Sequence, residues 1–295
     1  MELRVLRYFL AVAREQNITR AAQILNITQP TLSRQLMQLE DELSAQLFYR
    51  EKNRIVLTEE GMLLKKRAED LVELADRTER EFQQHDELMT GDIYLGAGEV
   101  HSMHILAKEM KKFKELYPLV QFHMFSGNAD DIKEKMDHGL IDIALLLEPV
   151  DVNRCEFIRL KEKDTWGVLV RNDSPLAQKE YVKVDDIKDE PLIMSKRVMV
   201  QNEISHWFGE NFDNLNIVST FNLVHNASIM AEEGLGIVLT IDKLVYTSHD
   251  LPLRFIPLYP HLETGSLIVW KNYQVFSPAK RKFIEQLKSH LKESS

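Results

Sequence analysis

Hydrophobic and polar positions alternate in three distinct ways along the chain, and each change of period marks a change of structure. The first is helical and confined to the start. In Leu3 to Arg14, residues Leu3, Leu6, Phe9, Leu10 and Ala13 fall on one side, with Arg4, Arg7 and Arg14 outside it. A short helix follows over Thr19 to Leu25, with Thr19 as its cap and the small pair Ala21-Ala22 allowing close approach of a neighbour; Asn26-Ile27 makes a tight turn. The next helix begins with Thr28 as cap and Pro30 in its first turn, where a missing N–H costs nothing. Its leucines at 32, 36, 39 and 43 form one buried stripe. Pro30, Arg34 and Met37 then lie opposite the stripe, Thr31 and Ser33 on the flanks, and Gln29 at the exposed N-terminal end. Phe48 to Leu57 reads as two short strands around a Lys52-Asn53 turn.

The second pattern is a long polar helix from Thr58 to about Met89, without Pro and with no Gly after Gly61. Leu64, Ala68, Leu71, Ala75, Thr78, Phe82, His85 and Met89 recur along it at alternating spacings of four and three, a heptad seam. At 1.5 Å per residue such a helix is about 45 Å long and too thinly apolar to stand alone, so burial against a second copy is expected. After Thr90-Gly91 the third pattern begins. Short apolar strands alternate with helices: 93–97, helix to 117; 120–125, helix to 138; 141–147; 167–170; 192–194; 218–221, helix to 233; 237–240; 253–256; 267–270; and a last helix from Pro278. Such alternation predicts parallel sheets covered by helices, an α/β fold.

Composition changes this picture little and charge changes it more. The 295 residues suit two or three domains, with 44% hydrophobic and 28% charged residues. No apolar run approaches the roughly 18 residues of a membrane span, and MELRVLRYFL lacks the apolar core and cleavage site of a signal peptide, so a cytoplasmic location and no membrane partner are expected. The single cysteine, Cys155, allows no intramolecular disulfide and reads as a small half-buried residue. The net charge of −9 is awkward for a nucleic-acid binder, yet residues 1–58 hold eight Lys/Arg against six Asp/Glu, a local +2. A weakly basic module on an acidic body needs two or more copies for useful affinity, because each phosphate contact adds a modest, salt-sensitive increment.

The polar face of the third helix carries the most specific chemistry. Gln and Arg can each make paired hydrogen bonds to a purine edge, and Thr28, Gln29, Pro30, Thr31, Ser33 and Arg34 sit where a helix enters a major groove; Arg50, Lys52 and Arg54 on the two strands are placed to meet phosphates. A helical hairpin with merely solvated polar residues is the competing reading of the helix pair alone. The full run resembles the winged helix-turn-helix of the LysR-type transcriptional regulators. The residues that carry the likeness are Ala21-Ala22, Gln29-Pro30-Thr31-Leu32-Ser33-Arg34-Gln35-Leu36, Leu39-Glu40-Asp41-Glu42-Leu43, Gln46-Leu47-Phe48-Tyr49-Arg50 and Leu57-Thr58-Glu59-Glu60-Gly61. Ser44 departs from the family, which usually has Gly after the leucine.

The resemblance implies a winged helix-turn-helix at 1–58, a linker dimerisation helix at 59–89, and a two-lobed periplasmic-binding-protein-like effector domain at 90–295. Lobe I would comprise 91–162 and 268–295 and lobe II 163–267, the chain crossing twice. It implies a homodimer or homotetramer that reads an interrupted palindrome in double-stranded DNA, answers to a small polar effector between the lobes, and has RNA polymerase as a further partner. No GxGxxG or Walker loop, no HExxH, no GxSxG and no nucleophile-plus-base pair occurs, so neither a cofactor nor enzymatic activity is expected. An effector-independent regulator, or a receptor or enzyme on the same fold, are the alternatives.

Ligands of such folds sit beyond the carboxyl ends of strands, where helix N-termini offer free N–H groups. That rule selects Glu99, Val100, His101 and Ser102 after the first strand, Ser126, Gly127 and Asn128 after the second, and Ser195, with Lys196-Arg197, and Phe221-Asn222 in the other lobe. Glu99 is unusual in an anion pocket and suits an amine or cation. His101 and His104, three apart, could share an ion with Glu99 as a third ligand. Ten histidines in the chain make such a pair unsurprising, so surface or capping roles are expected and no metal site is assigned.

Overall fold

The computed structural model describes residues 1–50, 54–83, 89–247, 251–272 and 276–292. It divides into two compact units, Met1–Gln84 and His85–Ser295, each described by itself.

In the first unit, α1 (Leu3–Glu15), α2 (Ile18–Ile24) and α3 (Gln29–Leu43) pack through Phe9, Ala21, Ala22, Leu32, Leu36 and Leu39. The cap of helix α2 lies two residues earlier than its sequence suggests. Asn17, rather than Thr19, is the cap, its side chain accepting the Arg20 N–H at 3.0 Å. Asn26 takes φ +54 in the tight turn, and the Thr28 hydroxyl caps α3 by accepting the Thr31 N–H. The face of α1 is rotated from the expected one: Val5, Leu6, Phe9, Ala11 and Val12 are buried, and Leu3 is exposed. Leu43, the last leucine of the α3 stripe, is exposed too, because the helix has passed the end of the core.

The wing forms as expected, β1 (Phe48–Arg50) antiparallel to β2 (Ile55–Leu57); the Lys52-Asn53 turn lies outside the described residues. Three residues fix its base. The Glu40 carboxylate accepts the N–H groups of Leu47 at 2.7 Å and Phe48 at 3.3 Å. The buried Thr58 hydroxyl donates to Gln46 O at 2.7 Å and accepts the Gly61 N–H at 2.9 Å, capping α4 (Glu59–Gln83). Gly61 is required by contact, since a Cβ there would come within 2.2 Å of Leu47 O.

Helix α4 packs on α1, with Ala68 fully buried and Leu64 and Val72 against the same core, and Asp76 paired with Arg7. The expected heptad seam is thereby corrected at its first two positions. Leu64 and Ala68 serve their own unit, and the apolar residues left outside are Met62, Leu63, Leu71 and Leu74. Leu63, Leu71 and Leu74 fall within about 80° on the helix, a stripe that shares Leu71 with the predicted seam. The side chain of Phe82 and all of His85 lie outside the described residues.

The second unit is built on a nine-stranded mixed sheet of order β4-β3-β5-β11-β6-β9-β7-β8, with β10 also on β6. On one side β3 (Gly91–Ala97), β4 (Val120–Ser126) and β5 (Ile143–Leu147) are parallel, joined by α5 (Met103–Leu116) and α6 (Ala129–Asp137). On the other, β7 (Leu192–Ser195), β8 (Ile217–Phe221) and β9 (Ile237–Ile241) are parallel, with α7 (Val184–Ile187), α8 (Val198–Phe208) and α9 (Val224–Glu232). Two strands belong to both sides. The 17-residue β6 (Cys155–Arg171) pairs antiparallel with β11 (Glu263–Lys271), β9 and β10 (Leu253–Pro257), and β11 also pairs antiparallel with β5. The all-parallel expectation fails at these strands, which carry the chain between lobes. The lobe limits drawn at 162/163 and 267/268 fall inside them. The last helix, α10 (Pro278–Lys292), returns to the first lobe, where Phe283 meets Phe113 and Phe122 edge-on at 5.0 and 5.1 Å.

Ser44 generates a stability prediction. It adopts φ +50 at the end of α3, its N–H bonded to Asp41 O and that of Ala45 to Glu40 O, a conformation that costs a residue with a Cβ. Ser44→Gly should stabilise the first unit by about 0.5–1 kcal/mol. Urea unfolding of the full chain should show a higher midpoint for the transition of this unit; an unchanged or lower midpoint contradicts the strain assigned to Ser44.

Candidate functional site

Two surfaces carry the polar residues selected from the sequence. On α3 the structure leaves Thr28, Gln29, Pro30, Thr31 and Arg34 exposed and Ser33 half-buried, opposite Leu32, Leu36 and Leu39. The Gln29 amide donates to the Ser33 hydroxyl at 2.8 Å, and the Thr28 and Thr31 hydroxyls are 2.8 Å apart, so the face is ordered by its own contacts. Elsewhere in the unit basic groups are neutralised. Arg4 pairs with Glu2, Arg7 with Asp76, and both Arg14 and Arg20 with Glu15. Arg34 makes no hydrogen bond or ion pair with any described residue, and its charge faces outward from the centre of the helix face. Arg54 is exposed at the wing; the Arg50 side chain and Lys52 lie outside what the structure describes.

The second surface is a cleft between the lobes of the second unit, with about 600 Å³ of empty space including its mouth. Seven of the ten sequence-selected effector residues line it: Glu99, Val100, Gly127, Asn128, Ser195, Phe221 and Asn222. Three do not. Ser126 is exposed at the end of β4, Ser102 is buried at the start of α5, and His101 turns toward His104 and Glu162. Each follows Glu99 or precedes Gly127 by too little chain for every side chain of its loop to point the same way. The cleft also takes residues the loop rule did not rank. Trp166 and Thr240 come from strand interiors, and Leu146, Leu147, Val200, Leu239, Ile241 and Leu244 make apolar walls; Arg197, from the loop already selected after Ser195, lines the cleft as well. Strand-interior positions carry no turn signal, so only the register of β6 and β9 brings Trp166 opposite Ile241.

Two charged side chains cross the cleft in opposite directions. The Glu99 carboxylate, from the first lobe, accepts the N–H of Val224, the first residue of α9 in the second. This is where a helix offers unsatisfied N–H groups and a partial positive charge, and a carboxylate there is favoured. The expectation that Glu99 awaits an amine or cation is thus corrected: the protein already supplies its partner. Arg197, from the second lobe and only 6% exposed, donates from Nη2 to Pro149 O at 3.0 Å and lies 3.6 Å from Asp130 through Nε, both in the first lobe. Burial pulls its pKa down and Asp130 opposes that shift. Its Nε has no hydrogen-bond partner among the described residues.

Asn128 has a second duty. Its side chain accepts the N–H groups of Asp130 and Asp131 and donates to the Asp131 carboxylate at 2.7 Å, so it caps α6 while lining the cleft. Behind the cleft, Asp164 on β6 is 4% exposed, and burial, reinforced by Asp242, pushes its pKa up to about 6.

Comparison with known proteins covers both units. Residues 3–62 match the family model described as bacterial regulatory helix-turn-helix protein, lysR family, and residues 86–292 match that of the LysR substrate binding domain. Among relatives, the HTH-type transcriptional regulator BsdA of Bacillus subtilis (strain 168) is 28% identical over 284 residues, covering 95% of this chain and 93% of its own. The regulator CysL of the same organism is 26% identical over 97% of this chain and 96% of its own. Among solved structures, CbnR, a LysR family transcriptional regulator, has a TM-score of 0.73 at 18% identity over 99% of both chains, a likeness of fold. No described helix is long and apolar enough to cross a membrane. With one model on the helix-turn-helix and the other on the two-lobed unit, the chain belongs to the LysR family of transcriptional regulators.

Proposed function

We propose that the chain is a DNA-binding transcriptional regulator that reads double-stranded DNA as a homodimer or homotetramer and is controlled by a small polar effector in the inter-lobe cleft. The observation that carries the first part is the exposed face of α3, where Arg34, which pairs with no described residue, lies beside Gln29 and Thr31. A structure of CbnR complexed with its target DNA has the same fold, with a TM-score of 0.72. In this reading Thr28, Gln29, Pro30, Thr31, Ser33 and Arg34 enter the major groove and Arg50, Lys52 and Arg54 meet the backbone. Residues 1–58 are the reading head, 59–89 the dimerising linker and 90–295 the effector domain. The assembly works in the cytoplasm with RNA polymerase as a partner, and it is not an enzyme.

The effector part rests on the cleft's make-up: apolar walls with a few polar groups, here Arg197, Thr240 and Asn222, which is the usual composition of a small-molecule site. Because Glu99 and Arg197 each span the cleft, a ligand that competes for either group changes the free energy of the closed lobes by its differential affinity. Glu99, Val100, Gly127, Asn128, Ser195, Phe221 and Asn222 remain the proposed contacts, with Arg197 added.

Arg34→Ala is expected to weaken binding to the specific site by about 1–3 kcal/mol and to relax base preference, whereas Arg54→Ala weakens specific and random DNA alike. Gel shifts on both DNAs at two salt concentrations measure this, and equal losses on the two DNAs for Arg34→Ala would take Arg34 out of base readout.

For the linker, Leu71→Glu places a carboxylate in the exposed stripe of α4 and should convert dimers to monomers with the unit still folded; Ala68→Glu buries a charge in the unit's own core and should unfold it. Light scattering with circular dichroism distinguishes the two. A Leu71→Glu protein that remains dimeric would remove this stripe from the interface.

A further inference from the structure

His101, His104 and Glu162 are brought together by two pieces of chain: the turn after β3 running into the first turn of α5, and the middle of β6. One ligand-type atom of each residue lies within 4.8 Å of the others. The rings of the two histidines are 4.8 Å apart between centroids, and His104 Nε2 is 3.5 Å from the Glu162 carboxylate. The orientation of His104 is set by its other nitrogen, which lies 2.9 Å from the backbone carbonyl of His101. A carbonyl can only accept, so Nδ1 carries the proton, and in the neutral ring Nε2 presents a lone pair. That is the arrangement by which a second partner orients a metal-binding imidazole. A lone pair facing a carboxylate oxygen is unfavourable unless a proton or a cation lies between them.

We propose that His101, His104 and Glu162 form a binding site for a divalent transition-metal cation, Zn²⁺ or Co²⁺ in chemical class, outside the effector cleft. Two imidazoles and one carboxylate are a donor set that such ions accept with a fourth position left to water. With bonds of about 2.0–2.2 Å, tetrahedral ligand atoms lie roughly 3.3–3.5 Å apart, so the observed cluster needs about 1 Å of side-chain adjustment to close. All three residues are partly exposed, so an ion has a path in. Glu162 lies where the pairing of β6 with β11 is irregular, between Lys163 opposite Gly265 and Arg159 opposite Leu267. An ion held there ties the start of α5 to the strand that joins the lobes and stiffens that crossing. The sequence predicts surface or capping roles for the pair and no metal site, with Glu99 as the one candidate third ligand; Glu99 is occupied at α9, and the structure brings Glu162 to the pair instead, about 60 residues further along.

The test uses the full chain, freed of any affinity tag and stripped with a chelator. Titration calorimetry with zinc chloride and visible absorption on adding cobalt chloride should show one ion per chain, cobalt giving the intense bands of a four-coordinate site. His104→Ala and Glu162→Gln should each lower zinc affinity by 10- to 100-fold, and His206→Ala, on α8, should leave it unchanged. Zinc should raise the melting temperature of the wild type and not that of Glu162→Gln, a near-isosteric change on the surface that keeps the fold readable. Zinc uptake that is undiminished in His104→Ala and Glu162→Gln, or no saturable uptake by the wild type, overturns the proposal and leaves a simple histidine–carboxylate ion pair.

Discussion

The two lobes of the second unit are held in their relative position by a reciprocal exchange of charge across a mostly apolar cleft. Glu99 reaches from the first lobe to the N-terminus of α9, and Arg197 reaches from the second to Pro149 O and Asp130. Hydrogen bonds to a charged partner contribute on the order of 1.5–3 kcal/mol each, more than neutral ones and enough to set the preferred angle between bodies linked only by two strands. Those strands, β6 and β11, are continuous through both lobes, so the covalent connection permits a hinge while the clasp selects one position of it. A ligand in the cleft acts on the clasp without having to disturb either lobe's core. Arg197 is suited to this because its Nε has no hydrogen bond within the described protein and its burial makes any new acceptor valuable.

The first unit uses a comparable economy. Glu40 and Thr58 between them satisfy the backbone at both ends of the wing's base, and Gly61 lets α4 begin against Leu47. This explains why the runs Leu39-Glu40-Asp41 and Leu57-Thr58-Glu59-Glu60-Gly61 read so clearly as a motif: each polar residue has a local backbone target a few residues away. It also explains why α4 cannot be treated as a bare rod. Its first turns are part of the helix-turn-helix core through Leu64 and Ala68, and the apolar stripe it leaves exposed is Leu63, Leu71 and Leu74.

Legibility followed the range of the interactions. Helices α1 to α3, the wing and most strands were readable because their periods and caps are local, and the loops beyond the strand ends led to seven residues that line the cleft: Glu99, Val100, Gly127, Asn128, Ser195, Phe221 and Asn222. What escaped depends on distant partners. The first half of β6 alternates Ile158 and Leu160 with charged residues and looks like a polar loop until β11 pairs with it. The helix α8, opening on Val198-Met199-Val200, has no strong helical signal of its own. Glu99 seemed to invite a cation because α9, its true partner, is 125 positions away in sequence. The predicted seam of α4 took in Leu64 and Ala68, which pack in their own unit, because a heptad pattern does not say which of two neighbours, α1 or a second chain, covers it.

The central claim is that Glu99 holds the lobes by satisfying the first turn of α9. Amide hydrogen exchange at Val224 measures that bond directly. In the wild type the Val224 N–H should be strongly protected, and in Glu99→Ala it should exchange 10-fold or more faster, with the interior strands β3 and β9 unchanged. Equal protection of Val224 in the two proteins would contradict the account.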